Sequence, residues 1–65
     1  NPTNDFINFV YDGDLTIKVY NILGQEIINT NDKLIDLRNY NDGVFIFKIW
    51  DFINQKSKSI TIIKK

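Results

Sequence analysis

The stretch Asp42-Gly43-Val44-Phe45-Ile46-Phe47-Lys48-Ile49-Trp50 constrains this chain more than any other part of it. A turn dipeptide, Asp-Gly, runs directly into β-branched and aromatic residues with one lysine among them, the pattern of a strand largely buried on both sides. Side chains alternate along a strand, so Phe45, Phe47 and Ile49 share one face, expected to meet the core. Val44, Ile46, Lys48 and Trp50 share the other. The economical reading is a central strand with neighbours on either side. Gly43, at its entry, is expected to tolerate a side chain less well than Gly13, which falls in a surface turn.

The neighbours must come from a short chain. At 65 residues there is room for a single domain spanning residues 1–65, and a chain of this size buries a smaller fraction of its surface than a larger one. It contains no cysteine and no histidine, so neither a disulfide nor an ordinary zinc site can supplement the core. Alanine and methionine are also absent, while isoleucine and phenylalanine are frequent, a composition that favours strands over helices.

Alternation locates the other strands. In Leu15-Thr16-Ile17-Lys18-Val19-Tyr20, the apolar Leu15, Ile17 and Val19 alternate with polar neighbours, as in a strand with one buried and one wet face. Asn21-Ile22-Leu23-Gly24 interrupts the pattern, and Gly24 is expected to supply a positive φ before the chain returns over Gln25–Asn29 as a hairpin. Phe6–Val10 reads as a short strand, and Asn1–Asn4, with Pro2, as a linker leading into it. Lys33–Leu37 reads as a strand followed by one helical turn, and Asp51–Gln55 as a loop of unusual apolar content. Lys56–Lys65 is the last strand, with Ile60 and Ile62 facing in. Six or seven short strands without a helix of normal length predict an all-β, antiparallel fold, a β-sandwich in preference to a small barrel.

The charges limit the partners. Eight basic and eight acidic residues cancel, so no strong field would draw nucleic acid or an anionic membrane to this chain. Residues 1–32 carry Lys18 against Asp5, Asp12, Asp14, Glu26 and Asp32, a net charge of −4. Residues 33–65 carry seven bases against Asp36, Asp42 and Asp51, a net charge of +4. Attraction between the two halves within a compact fold is the expected consequence, with a basic patch offered to a partner as the alternative. No apolar run reaches the roughly 20 residues of a membrane-spanning helix, and no secretory leader is evident. The chain starts at Asn1 rather than methionine and is expected to be the excised end of a longer protein.

Catalytic chemistry finds little support. Ser-His and Cys-His nucleophilic arrangements are excluded by composition, and no cofactor is expected. Asp12 and Asp14 flank Gly13 and read as turn residues rather than as a pair of catalytic carboxylates. Calcium at one end of the sandwich stays open. Trp50, Tyr11, Tyr20 and Tyr40 could form an aromatic platform for a sugar or peptide, although aromatic packing over a thin core is the commoner arrangement. Lys56, Lys58, Lys64 and Lys65 read as a solvated strand face.

Four blocks taken together are more specific. Asn1-Pro2-Thr3, then Val19-Tyr20-Asn21-Ile22-Leu23-Gly24-Gln25-Glu26, then Ile35-Asp36-Leu37 ahead of Asp42-Gly43-Val44-Phe45-Ile46-Phe47-Lys48-Ile49, and finally Ile60-Thr61-Ile62-Ile63-Lys64-Lys65 occur in this order. In order and spacing the chain resembles, over essentially its whole length, the type A C-terminal sorting domain of the Bacteroidetes type IX secretion system. The resemblance implies an immunoglobulin-like β-sandwich with no activity of its own. Such a module directs a covalently fused upstream cargo from the periplasm across the outer membrane to the cell surface or medium. Its implied partners are the outer-membrane translocon and a surface sortase that removes the domain.

By position, Gly24 and Gly43 match two glycines of the family, and Ile60–Lys65 its terminal recognition strand, so Gly43, Ile60, Ile62, Lys64 and Lys65 are the implied recognition residues. Gly24, Phe45 and Phe47 are the matching structural positions. Phe45 stands where the family usually has tyrosine, Phe47 where a smaller aliphatic is common, and Asp51–Gln55 lacks a glycine often found there. The alternative reading is an accessory carbohydrate-binding or adhesion sandwich, which the same strand pattern permits.

Overall fold

In the structure, a computed structural model, residues 6–65 are described; Asn1–Asn4, read as a linker, lie outside them. Six strands form in chain order: β1 (Phe6–Asn8), β2 (Leu15–Tyr20), β3 (Glu26–Thr30), β4 (Leu34–Asp36), β5 (Gly43–Asp51) and β6 (Lys56–Lys64). All pairings are antiparallel. They make a four-stranded sheet in the order β3-β2-β5-β6 and a two-stranded sheet of β1 and β4.

The alternation read from the sequence places the core. Leu15, Ile17 and Val19 of β2 and Phe45, Phe47 and Ile49 of β5 are buried on one face of the larger sheet. Ile35 and Leu37 are buried in the same cluster, with Ile7 and Phe9 packed against it, so the smaller sheet is held over that face by its own apolar side. Alternation works in reverse at the neighbouring positions: Phe6 and Leu34 point outward and are exposed. Phe47 is wholly inaccessible, and its ring lies 5.8 Å from that of Phe9. Burying such side chains is the main term stabilising a domain of this size.

β5 is interior in the sheet, between β2 and β6, but it is covered on one face only. Val44 and Ile46 are half-buried, and Lys48 and Trp50 are exposed on the other. The expectation of two covered faces is corrected here, because both layers of the fold are used on the inner side and no element lies over the outer one among the described residues.

The turns follow their local chemistry. Asn21 organises the β2–β3 hairpin: its side-chain oxygen accepts from the main-chain N–H groups of Leu23 and Gln25, each at 3.0 Å, and Gly24 takes the left-handed φ of +84°. Between β4 and β5 the chain makes a hydrogen-bonded turn, Tyr40 N–H to the Leu37 carbonyl at 3.1 Å, in place of the expected helical turn. The Asp36 carboxylate accepts from the Arg38 main-chain N–H at 2.9 Å, an Asx turn that leads the chain into this hydrogen-bonded turn.

The two glycines constrain the chain in different ways. Gly43 has φ +158°, a backbone conformation that L residues rarely adopt, so a side chain there is strained as expected although a Cβ meets nothing within 4 Å, whereas a Cβ on Gly13 would crowd Ile53 Cδ1 and lie 2.7 Å from Tyr11 Cε2. The close approach is at Gly13, because the β5–β6 turn folds back over the β1–β2 loop, a long-range contact that the local pattern of Asp-Gly-Asp does not announce.

Among the described residues no ion pair between residues 6–32 and 33–65 is seen. Among the described residues the ion pairs are Arg38–Asp36 and Lys64–Asp42, both within residues 33–65. Asp12, Asp14 and Asp32 are exposed between strands and Lys56 and Lys58 on β6, so the halves carry their opposite charges to solvent.

Candidate recognition site

Most of the positions singled out by the resemblance converge on one part of the sheet. In the β5–β6 ladder, Gly43 is opposite Lys64, Phe45 opposite Ile62 and Phe47 opposite Ile60. Six of the eight candidate residues thus form three alternate rungs on the inner face, brought together by one antiparallel register. Gly24 lies apart, in the β2–β3 turn, and Lys65 follows β6 and is exposed. Ile60 and Ile62 face in and are half-buried against the core cluster. Phe45 is buried and meets the Tyr40 ring edge-on at 6.3 Å, and it fills its site without a hydroxyl to satisfy.

Lys64 departs from the picture of a solvated basic tail. It is 8% exposed, its ammonium donates to the Tyr40 main-chain carbonyl at 2.6 Å, and Asp42 Oδ1 is 3.7 Å away. Strand alternation explains the burial: Lys64 continues the inward face of Ile60 and Ile62. The four lysines therefore divide, with Lys56, Lys58 and Lys65 exposed and Lys64 enclosed.

β6 is an edge strand. It pairs with β5 over nine consecutive rungs, from Gly43–Lys64 to Asp51–Lys56, and its other side has no strand partner among the described residues. Outward-facing Ser57, Ser59, Thr61 and Ile63 are all exposed.

The aromatic residues do not form a single platform. Tyr11 and Tyr40 pack against the core on the inner side. Trp50 and Tyr20 lie on the outer face, where Trp50 meets Phe52 edge-on at 6.3 Å and Lys48 sits 5.1 Å from the Tyr20 ring. Asp12 and Asp14 are exposed turn residues, and among the described residues no group of three acidic side chains could hold a metal ion.

A polar network that sequence reasoning missed ties the β1–β2 loop to the β5–β6 turn. Tyr11 Oη donates to Asp51 Oδ2 at 2.7 Å; Asp51 Oδ1 accepts from Ile53 N–H at 2.9 Å, and Asn54 Nδ2 donates to Asp51 Oδ2 at 2.8 Å. Accepting the Tyr11 hydrogen bond holds the Asp51 carboxyl below the usual range, with the Asn54 and Ile53 donors acting in the same direction. The same bond raises the Tyr11 phenol above its ordinary value. The only local signal for this network is Asp51 itself, standing two residues before the amide it accepts from, as an Asx turn requires.

Comparison with known families returns one described as "Secretion system C-terminal sorting domain", whose profile matches residues 1–64. No curated protein and no solved structure matches the chain.

Proposed function

The chain belongs to the secretion system C-terminal sorting domain family, and from that premise we propose that β6 is the element through which the outer-membrane translocon reads it. The domain is a type IX sorting signal and is not catalytic. Membership implies a cargo exported through the outer membrane and contact with the secretion machinery. The finer steps belong to the proposal: the fused cargo reaches the periplasm, the translocon engages the domain, and a surface sortase removes it as the cargo passes to the surface or medium.

One observation carries the choice of β6. It is the longest strand with a free edge, nine residues in unbroken register, and its unpaired main-chain groups are able to extend a receptor's sheet. Ile60, Ile62 and Gly43 act in this reading by fixing the strand's inner face and register. Lys65 is the exposed terminal cation, and Lys64 serves by anchoring the strand's end.

We also propose that the sandwich is immunoglobulin-like. The strand order supports it: β3-β2-β5-β6 facing β1-β4 is the order obtained when the strands are taken as B, C, C′, E, F and G of that fold.

The test is a fusion of residues 1–65 to a periplasm-directed fluorescent protein in a bacterium with type IX secretion. The fusion is expected at the surface or in the medium, and Lys18→Ala, on an interior strand, leaves export intact. Deleting Ile60–Lys65 abolishes it, with Lys65→Ala as the variant that leaves the core untouched. Periplasmic retention of the folded, intact fusion would overturn the reading.

A further inference from the structure

The free edge of β6 adjoins a cavity. On the inner side of its first half an open groove of about 440 Å³ lies between Phe9, Val10 and Tyr11 on one wall and Ile49 and Ile60 on the other. Its origin is the unequal length of the two layers. β1 and β4 are three residues long and β5 and β6 nine, so among the described residues the smaller sheet leaves part of the larger one uncovered. Val10, at the groove's mouth, is 93% exposed.

The rim is charged on one side only. Lys56 and Lys58 line the groove and share the inward face of β6 with Ile60, yet neither makes an ion pair among the described residues. Asp51, the one acid in the lining, is already occupied by Tyr11, Ile53 and Asn54. The two lysines outnumber that one carboxylate, so the groove's net charge is positive.

We propose that β6 and this groove together form a strand-addition site for an extended peptide segment of a partner protein, with an apolar side chain and acidic residues two and four positions to one side of it. A strand laid along β6 meets the unpaired edge with its main chain and directs every second side chain toward the groove. The apolar residue rests over Phe9, Tyr11 and Ile60, and the acidic residues face Lys56 and Lys58. That the partner belongs to the secretion machinery rests on the sorting reading; the peptide chemistry rests on the groove alone.

The probe is a capped heptapeptide with leucine at its second position, glutamate at its fourth and sixth and threonine elsewhere, titrated into the ¹⁵N-labelled chain. Amide shifts are expected in β6 and Phe9–Tyr11, with the peptide carrying lysines in place of the glutamates at least about tenfold weaker. Lys56→Glu with Lys58→Glu, checked as folded by the same spectra, reverses that preference, and Val10→Glu weakens the acidic peptide. Shifts that bypass β6, equal binding of both peptides, absence of saturation at millimolar peptide, or an unreversed preference would each overturn the proposal. The fluorescent fusion separates the two readings. Retention of the native fusion alongside intact peptide binding removes the sorting reading and keeps the groove; export of the native fusion without peptide binding does the opposite.

Discussion

The ammonium of Lys64 donates to the main-chain carbonyl of Tyr40 at 2.6 Å, so the end of the last strand is fastened to the corner between β4 and β5. Tyr40 is itself fixed there, its hydroxyl donating to the Ile27 carbonyl of β3 at 3.2 Å and its ring packed edge-on to Phe45. One residue therefore connects β3 to β5 and receives the end of β6. A basic tail that reads as a surface feature is in part a structural anchor.

Lys64→Ala is expected to lower stability by about 1.5 to 3 kcal/mol, because it removes a hydrogen bond from a charged donor and strips a buried stem from the core edge. Lys65→Ala, at an exposed position, is expected to stay within about 0.5 kcal/mol of the native chain. Urea melts of the two variants make the comparison, and equal losses would contradict the division of the lysines.

Gly13→Ala is expected to cost about 1 to 3 kcal/mol by overpacking against Ile53 and Tyr11. The same change in an Ile53→Ala background costs less, since Ile53 is an exposed side chain whose removal opens the space. Additive losses in this double-mutant cycle would mean that the two residues do not meet.

Stability should fall on both sides of a neutral plateau. Asp51 and Asp36 have folded values below the ordinary carboxylate range, the first held by Tyr11 and the second by Arg38, so their contribution is present above about pH 4 and is lost as pH falls through the folded values. Tyr11 is raised by its bond to Asp51, so its contribution is complete below about pH 10 and is lost as pH rises through the folded value. Urea melts of the native chain and Tyr11→Phe across pH 3 to 11 test this: the variant is expected to lack the alkaline decline attributable to Tyr11 and to show a smaller acid one.

Phe47→Ala is expected to cost about 3 to 5 kcal/mol, a large part of what a domain this small has, while Trp50→Ala costs clearly less. Both are large aromatics on the same strand, but Phe47 is 0% and Trp50 37% exposed. Near-ultraviolet circular dichroism with urea melts distinguishes the two, and a Trp50 loss as large as that of Phe47 would place an unseen cover on the outer face.

The sequence by itself determined the strands and their inward faces. Alternation at Leu15, Ile17 and Val19, and at Phe45, Phe47 and Ile49, is a local property, and burial follows from it whichever strands become neighbours. Gly24 was equally legible, since a turn that needs a left-handed residue names one locally. Four ordered blocks sufficed for the sorting-domain family, because a family pattern is a property of order and spacing along the chain. Tertiary structure alone decided the rest. It left the outer face of β5 open, put the close contact at Gly13, enclosed Lys64, and brought Tyr11 to Asp51 across 40 residues. The reason is common to all four: each depends on how two distant segments are registered and how far a short sheet extends over a long one, and neither quantity is encoded in any local run of residues.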